Sequence, residues 1–144
     1  MTVILAAAGD GSGNTLEGPI GIATDASGNV FVAGYESDNA FKITPGGTIT
    51  RIMDAAGGGA GNTLVGPIGI ATDGSGNVFV TGQFSHNAFK ITPGGMITQI
   101  IGPAGDGTGN ALEGSFGIAT DGSGNVFVAG RISSNAFKIT PQVR

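Results

Sequence analysis

The sequence predicts an all-β chain made of three similar four-stranded antiparallel sheets, and three observations carry that reading. The segment LEGPIGIATDASGNVFVAG begins at Leu16 and returns in close copies at Leu64 and Leu112, a spacing of 48 residues in a chain of 144. The chain holds 29 glycines and 6 prolines without a triplet period, the punctuation of many short strands and tight turns. Hydrophobic residues make up 40% and charged residues only 11%, which provides for a packed core.

Each element of the unit follows from alternation and from the turns that bound it. The first strand, Ile20–Thr24, ends in the turn Asp25-Ala26-Ser27-Gly28. The second, Asn29–Gly34, is apolar on both faces, as a sheet covered on both sides requires. The third spans Ala40–Thr44 and the fourth Thr48–Met53. They are joined by Pro45-Gly46-Gly47, where proline presets φ and glycine supplies a positive one. Four such strands in succession make a meander.

The third unit stops after its third strand, and its missing piece has a match at the other end of the chain. Thr2-Val3-Ile4-Leu5 aligns with Thr50-Arg51-Ile52-Met53, and AGDGSGNT from Ala8 aligns with AGDGTGNA from Ala104. Residues 2–5 are therefore expected to be a displaced fourth strand of the last unit, with 1–144 forming a single three-unit segment cut inside a unit. The start MTVILAAAG has no basic region, the first Lys or Arg being Lys42, so a strand suits it better than a leader. The same regularity also fits an engineered, reconstructed or excised array.

A four-stranded repeat of this length is the pattern of a β-propeller blade. The chain resembles the NHL-repeat propellers in three places in each unit. In the first they are Pro19-Ile20-Gly21-Ile22-Ala23-Thr24-Asp25, then Gly28-Asn29-Val30-Phe31-Val32, then Asn39-Ala40-Phe41-Lys42-Ile43. It departs from that pattern in the Thr before Asp25, in the absence of an acidic residue after Val32-Ala33, and in the long link AAGGGAGNT. The resemblance implies a ring of six blades.

Three blades are too few to close a ring, so the expected partner is the chain itself. Residues Thr2, Val3, Ile4 and Leu5 of one copy would pair beside Phe137 and Ile139 of the next. Such head-to-tail contacts close into rings or grow into filaments. A six-bladed homodimer is the favoured assembly and a nine-bladed homotrimer the alternative.

Function is expected on the face that carries the turn between the second and third strands, because the units differ there. Those turns contribute Tyr35, Glu36 and Asp38, then Gln83, Phe84 and His86, then Arg131, Ile132 and Ser134 as candidate ligand contacts. Glu17 and Glu113 are expected at the mouth of the channel on that face. Asp25, Asp73 and Asp121 open tight turns and are read as turn-capping rather than as a carboxylate ring. The single histidine and absent cysteine leave no recognisable metal set or nucleophile pair, so no metal and no cofactor is assigned. A net charge of −4 argues against nucleic acid, and no apolar run reaches the roughly 18 residues of a membrane-crossing helix. The expected function is a non-enzymatic, self-assembling scaffold or binding module. The alternatives are a propeller enzyme of lactonase or lyase type and a lectin-like sugar-binding ring.

Overall fold

The structure, a computed structural model, describes residues 1–141. Among the described residues there are eleven strands, arranged in three sheets, and no helix. Blade 1 holds β1 (Pro19–Thr24), β2 (Val30–Gly34), β3 (Asn39–Ile43) and β4 (Ile49–Met53). Blade 2 holds β5 (Pro67–Thr72), β6 (Val78–Gly82), β7 (Asn87–Ile91) and β8 (Ile97–Ile101). Blade 3 holds β9 (Ser115–Thr120), β10 (Val126–Gly130) and β11 (Asn135–Ile139), three strands in place of four. Neighbouring strands are antiparallel in sequence order, which is the predicted meander.

The turns hold the register. The Asp25 N–H donates to Asn29 O (3.1 Å) and the Gly28 N–H to Asp25 O (3.2 Å), and Gly28 takes a φ of 83°. A left-handed position of this kind is open to glycine at little cost. An irregularity between Pro19 and Ile22 recurs between Pro67 and Ile70, so the inner strand of each of these blades bends at the same place.

The blades stack face to face. Phe31, Ala33 and Ala40 of blade 1 pack on Ile70, Val78, Val80 and Phe89 of blade 2. Phe79 and Ala88 on the other face of blade 2 pack on Val126 and Val128 of blade 3. Each blade thus has a forward face, carrying the strand-two phenylalanine, and a back face, carrying the strand-two valines. All of β6 is buried, as the doubly apolar second strand predicted, whereas β10 alternates buried and exposed, since no sheet among the described residues covers its forward face.

The same positions show what the terminal blades lack. Ile68 and Ile70 are 7% and 8% exposed, while Ile20 and Ile22 of blade 1 are 58% and 64% exposed. Phe79 is 3% exposed and Phe127 is 38% exposed. One bare back face and one bare forward face remain, and each is complementary to a face that is covered inside the chain.

Residues 2–5 belong to no strand of this single chain. Leu5 nevertheless joins the cluster of Leu16, Val32 and Phe41 on the back face of blade 1. Met53 meets Leu64, Val80 and Phe89 in the same way, and Ile101 meets Leu112, Val128 and Phe137. The loop that follows repeats as well. Leu16 N–H donates to Ala7 O (3.0 Å), Leu64 N–H to Ala55 O (3.0 Å) and Leu112 N–H to Pro103 O (3.1 Å). The N-terminal segment is therefore shaped like the links that join a fourth strand to the next blade.

Candidate functional site

The varied turns lie beside the links between blades, on one face of the array. Tyr35 N–H donates to Gly18 O (3.0 Å) and Glu36 N–H to Glu17 O (3.1 Å), with equivalent bonds from Gln83 to Gly66 and from Arg131 to Gly114. Beneath them a constant frame fixes the loops. The Ser37 hydroxyl accepts the Glu17 N–H (3.0 Å) and donates to Asn39 Oδ1 (2.7 Å), and Asn39 Nδ2 donates to Thr15 O (2.8 Å). Ser85 with Asn87, and Ser133 with Asn135, repeat the arrangement. The Ser-x-Asn spacing was present in every repeat and is what makes this face rigid.

On that frame the nine candidate contacts separate. Tyr35 and Phe84, from neighbouring blades, meet with ring centroids 5.8 Å apart and planes tilted by 52°. The Arg131 guanidinium lies over the Phe116 ring, 5.7 Å from its centroid. Glu36, Phe84, Arg131, Ile132 and Ser134 are exposed, and so are Glu17 and Glu113. This gives a surface of aromatic, aliphatic and charged side chains suited to contact. Gln83 is buried.

Asp38 and His86 hold blades together. Asp38 Oδ1 accepts the Gly66 N–H of the next blade (2.8 Å), and His86 Nδ1 accepts the Gly114 N–H (2.8 Å). Both residues sit in the left-handed region, with φ of 51° and 56°, as does Ser134 at 56°. Three unlike side chains thus share one backbone conformation, and Asp38 and His86 share one position relative to the next blade. The His86 lone pair is committed to a backbone donor.

The turn aspartates are similarly committed. Asp25 Oδ1 accepts the N–H groups of Ser27 (3.0 Å) and Asn29 (2.9 Å), and Oδ2 accepts Asn29 Nδ2 (2.9 Å). Asp73 and Asp121 do the same. Desolvation works to raise the Asp25 carboxyl, but the bonds from Asn29 and Ser27 outweigh it and leave the group below its ordinary range. At Asp121 the Asn125 side chain is the largest influence and the result is also a lowering. In the linkers, the Asn110 amide and the Thr108 N–H bring Asp106 down to about 2. Asp25, Asp73 and Asp121 cap their turns, as their sequence context predicted, and Asp106 accepts equivalent bonds within its link. Among the described residues no three His, Asp or Glu side chains converge.

One feature of the opposite face had no counterpart in the sequence reading. A groove of about 690 Å³ runs between blades 1 and 2 beside the Asp-x-Ser-Gly-Asn and Pro-Gly-Gly turns. Phe31, Val78 and Ile91 line its apolar part, and Lys42 and Arg51 bring positive charge. Arg51 also donates to Asn14 Oδ1 (2.7 Å) and lies 3.4 Å from Asp54.

No protein-family model and no curated protein matches the chain. Solved structures do. A catalytically inactive virginiamycin B lyase from Staphylococcus aureus, in complex with quinupristin, matches over 88% of this chain with a TM-score of 0.61 and 17% identity. A gluconolactonase from Xanthomonas campestris matches over 89% with a TM-score of 0.67 and 12% identity, and a nidogen–laminin complex over 83% with a TM-score of 0.58 and 20% identity. The chain spans 42%, 46% and 47% of those three chains, less than half of each. At these identities the likeness speaks for the fold, and it agrees with the stacked meanders: the chain is an array of three β-propeller blades.

Proposed function

We propose that this chain is a non-catalytic scaffold or binding module whose propeller is completed by a second copy of itself, giving six blades. The varied loops around Tyr35, Phe84, Arg131 and Ile132 then form its recognition face. The observation that carries the reading is the contrast between Ile22, 64% exposed, and Ile70, its equivalent in the middle blade, 8% exposed. Burying an isoleucine contributes about 1.5–3 kcal/mol, so two such bare faces favour association strongly. The Leu5 contact adds support, because it holds residues 2–5 where a fourth strand of a preceding blade belongs.

The binding reading is favoured over an enzymatic one by the commitments of the polar groups. His86 Nδ1 accepts a backbone N–H, and the three turn aspartates are filled by turn donors. Catalysis of the acid–base kind needs such groups directed at a substrate. Sedimentation equilibrium of the full chain at micromolar concentration tests the assembly, with twice the chain mass expected. A single-chain mass throughout would overturn it.

A further inference from the structure

Resting on that reading, we infer that the junction between copies is built with the chemistry of the blade 1–blade 2 junction and in its register, and not with that of the blade 2–blade 3 junction. The two junctions inside the chain differ at one paired position. Across the second, Thr81 Oγ1 donates to Phe116 O (2.8 Å) and accepts the Gly69 N–H (2.9 Å). Ser115 Oγ lies 2.7 Å from both Gly82 O and Asn87 O, reaching back from blade 3. Both hydroxyls are fully buried. Across the first junction the same places hold Ala33 and Pro67, also buried, which form an apolar seam without these bonds.

The bare faces carry Ala129 forward and Pro19 back, both exposed and both the apolar type. A junction between copies therefore matches Ala33 with Pro67.

Three further features set the register. A Cβ on Gly21 would overlap the Ile68 carbonyl of the next blade, and one on Gly69 the Phe116 carbonyl. At Gly117 a Cβ meets nothing nearer than Ala129 Cβ at 3.9 Å, which leaves room for the Ile20 carbonyl of a second copy. Along the inner strands Thr72 Oγ1 donates to Thr24 O (2.7 Å) and Thr120 Oγ1 to Thr72 O (2.6 Å). The series leaves the Thr24 hydroxyl at one end of the array and the Thr120 carbonyl at the other. On the loop face, Ser134 occupies the place of Asp38 and His86, and Gly18 that of Gly66 and Gly114. One step of 48 residues aligns all three pairs at once.

The test uses the full chain and its dissociation constant by sedimentation. Gly117→Ala should leave the melting of the chain unchanged and weaken the dimer by roughly a hundredfold, the effect of overfilling a packed contact. An unchanged constant would overturn the register. Ala129→Thr places a hydroxyl where, in this register, Ile20 O of the second copy and Gly117 N–H stand as Phe116 O and Gly69 N–H stand around Thr81, so the dimer should keep or exceed its wild-type affinity. A roughly tenfold or greater loss, the mark of a hydroxyl buried without a partner, would overturn the register. A wild-type chain that stays monomeric would instead remove the ring on which the inference stands.

Discussion

Replacing Ile22 and Ile70 by alanine, one at a time, separates an interface between copies from an interface within the chain. The two residues are equivalent, 48 positions apart, and the same substitution removes the same atoms from each. Ile70 is 8% exposed and packed against blade 1, so Ile70→Ala should lower folding stability by about 2–5 kcal/mol. Ile22 is 64% exposed in the single chain, so Ile22→Ala should cost an isolated chain little. If a second copy covers Ile22 as blade 1 covers Ile70, somewhat more than half of its surface is removed from water on association. That corresponds to about 1–2 kcal/mol per junction. A closed pair has two junctions, so the loss is about 2–4 kcal/mol, or roughly 30- to 1,000-fold in the dissociation constant. Urea unfolding at a concentration where the chain is monomeric reads the first effect, and sedimentation or dilution light scattering reads the second. Equal losses of monomer stability with no change in association would refute the reasoning.

Other perturbations give separate checks. Deleting residues 1–8 removes Leu5 from the cluster with Leu16, Val32 and Phe41. The closed oligomer should give way to aggregates or monomers on size-exclusion chromatography, and an unchanged oligomer would contradict strand donation. His86→Ala strands the Gly114 N–H between blades and should cost about 1–3 kcal/mol in urea unfolding, whereas His86→Asp keeps an acceptor like Asp38 and should cost less. The carboxyls of Asp10, Asp106 and Asp121 are all lowered in the folded chain, Asp106 to about 2. Their stabilisation is therefore full above the ordinary value of 3.8 and is lost as pH falls through the folded values. Melting temperature should drop below about pH 4, and Asp106→Asn should make that drop shallower.

The strands were legible to within a residue because their punctuation is chemical. Pro45-Gly46-Gly47 and Asp25-Ala26-Ser27-Gly28 can do little but turn, and each recurs. The double burial of β6 was legible from Val78-Phe79-Val80, which has no polar side to turn toward water. The tasks of Asp38, His86 and Ser134 were not. As side chains they share almost nothing; all three have a left-handed backbone, and Asp38 and His86 also share a neighbour 28 residues on, neither of which is written in the residue types. Thr81 and Ser115 stand where the first repeat has Ala33 and Pro19, and their bonds form only with the opposing blade in place. The groove with Lys42 and Arg51 likewise exists only between two blades, beyond what one repeat can show.

Small-angle X-ray scattering of the full chain across a concentration series tests the self-completed ring most directly. A compact pair of chains should have a radius of gyration of about 19 Å, against about 15 Å for one compact chain. The account predicts the larger value, constant with concentration once the pair has formed, because a closed ring has no bare face left to extend. A value that stays at the single-chain size, or one that climbs steadily as filaments grow, would contradict it.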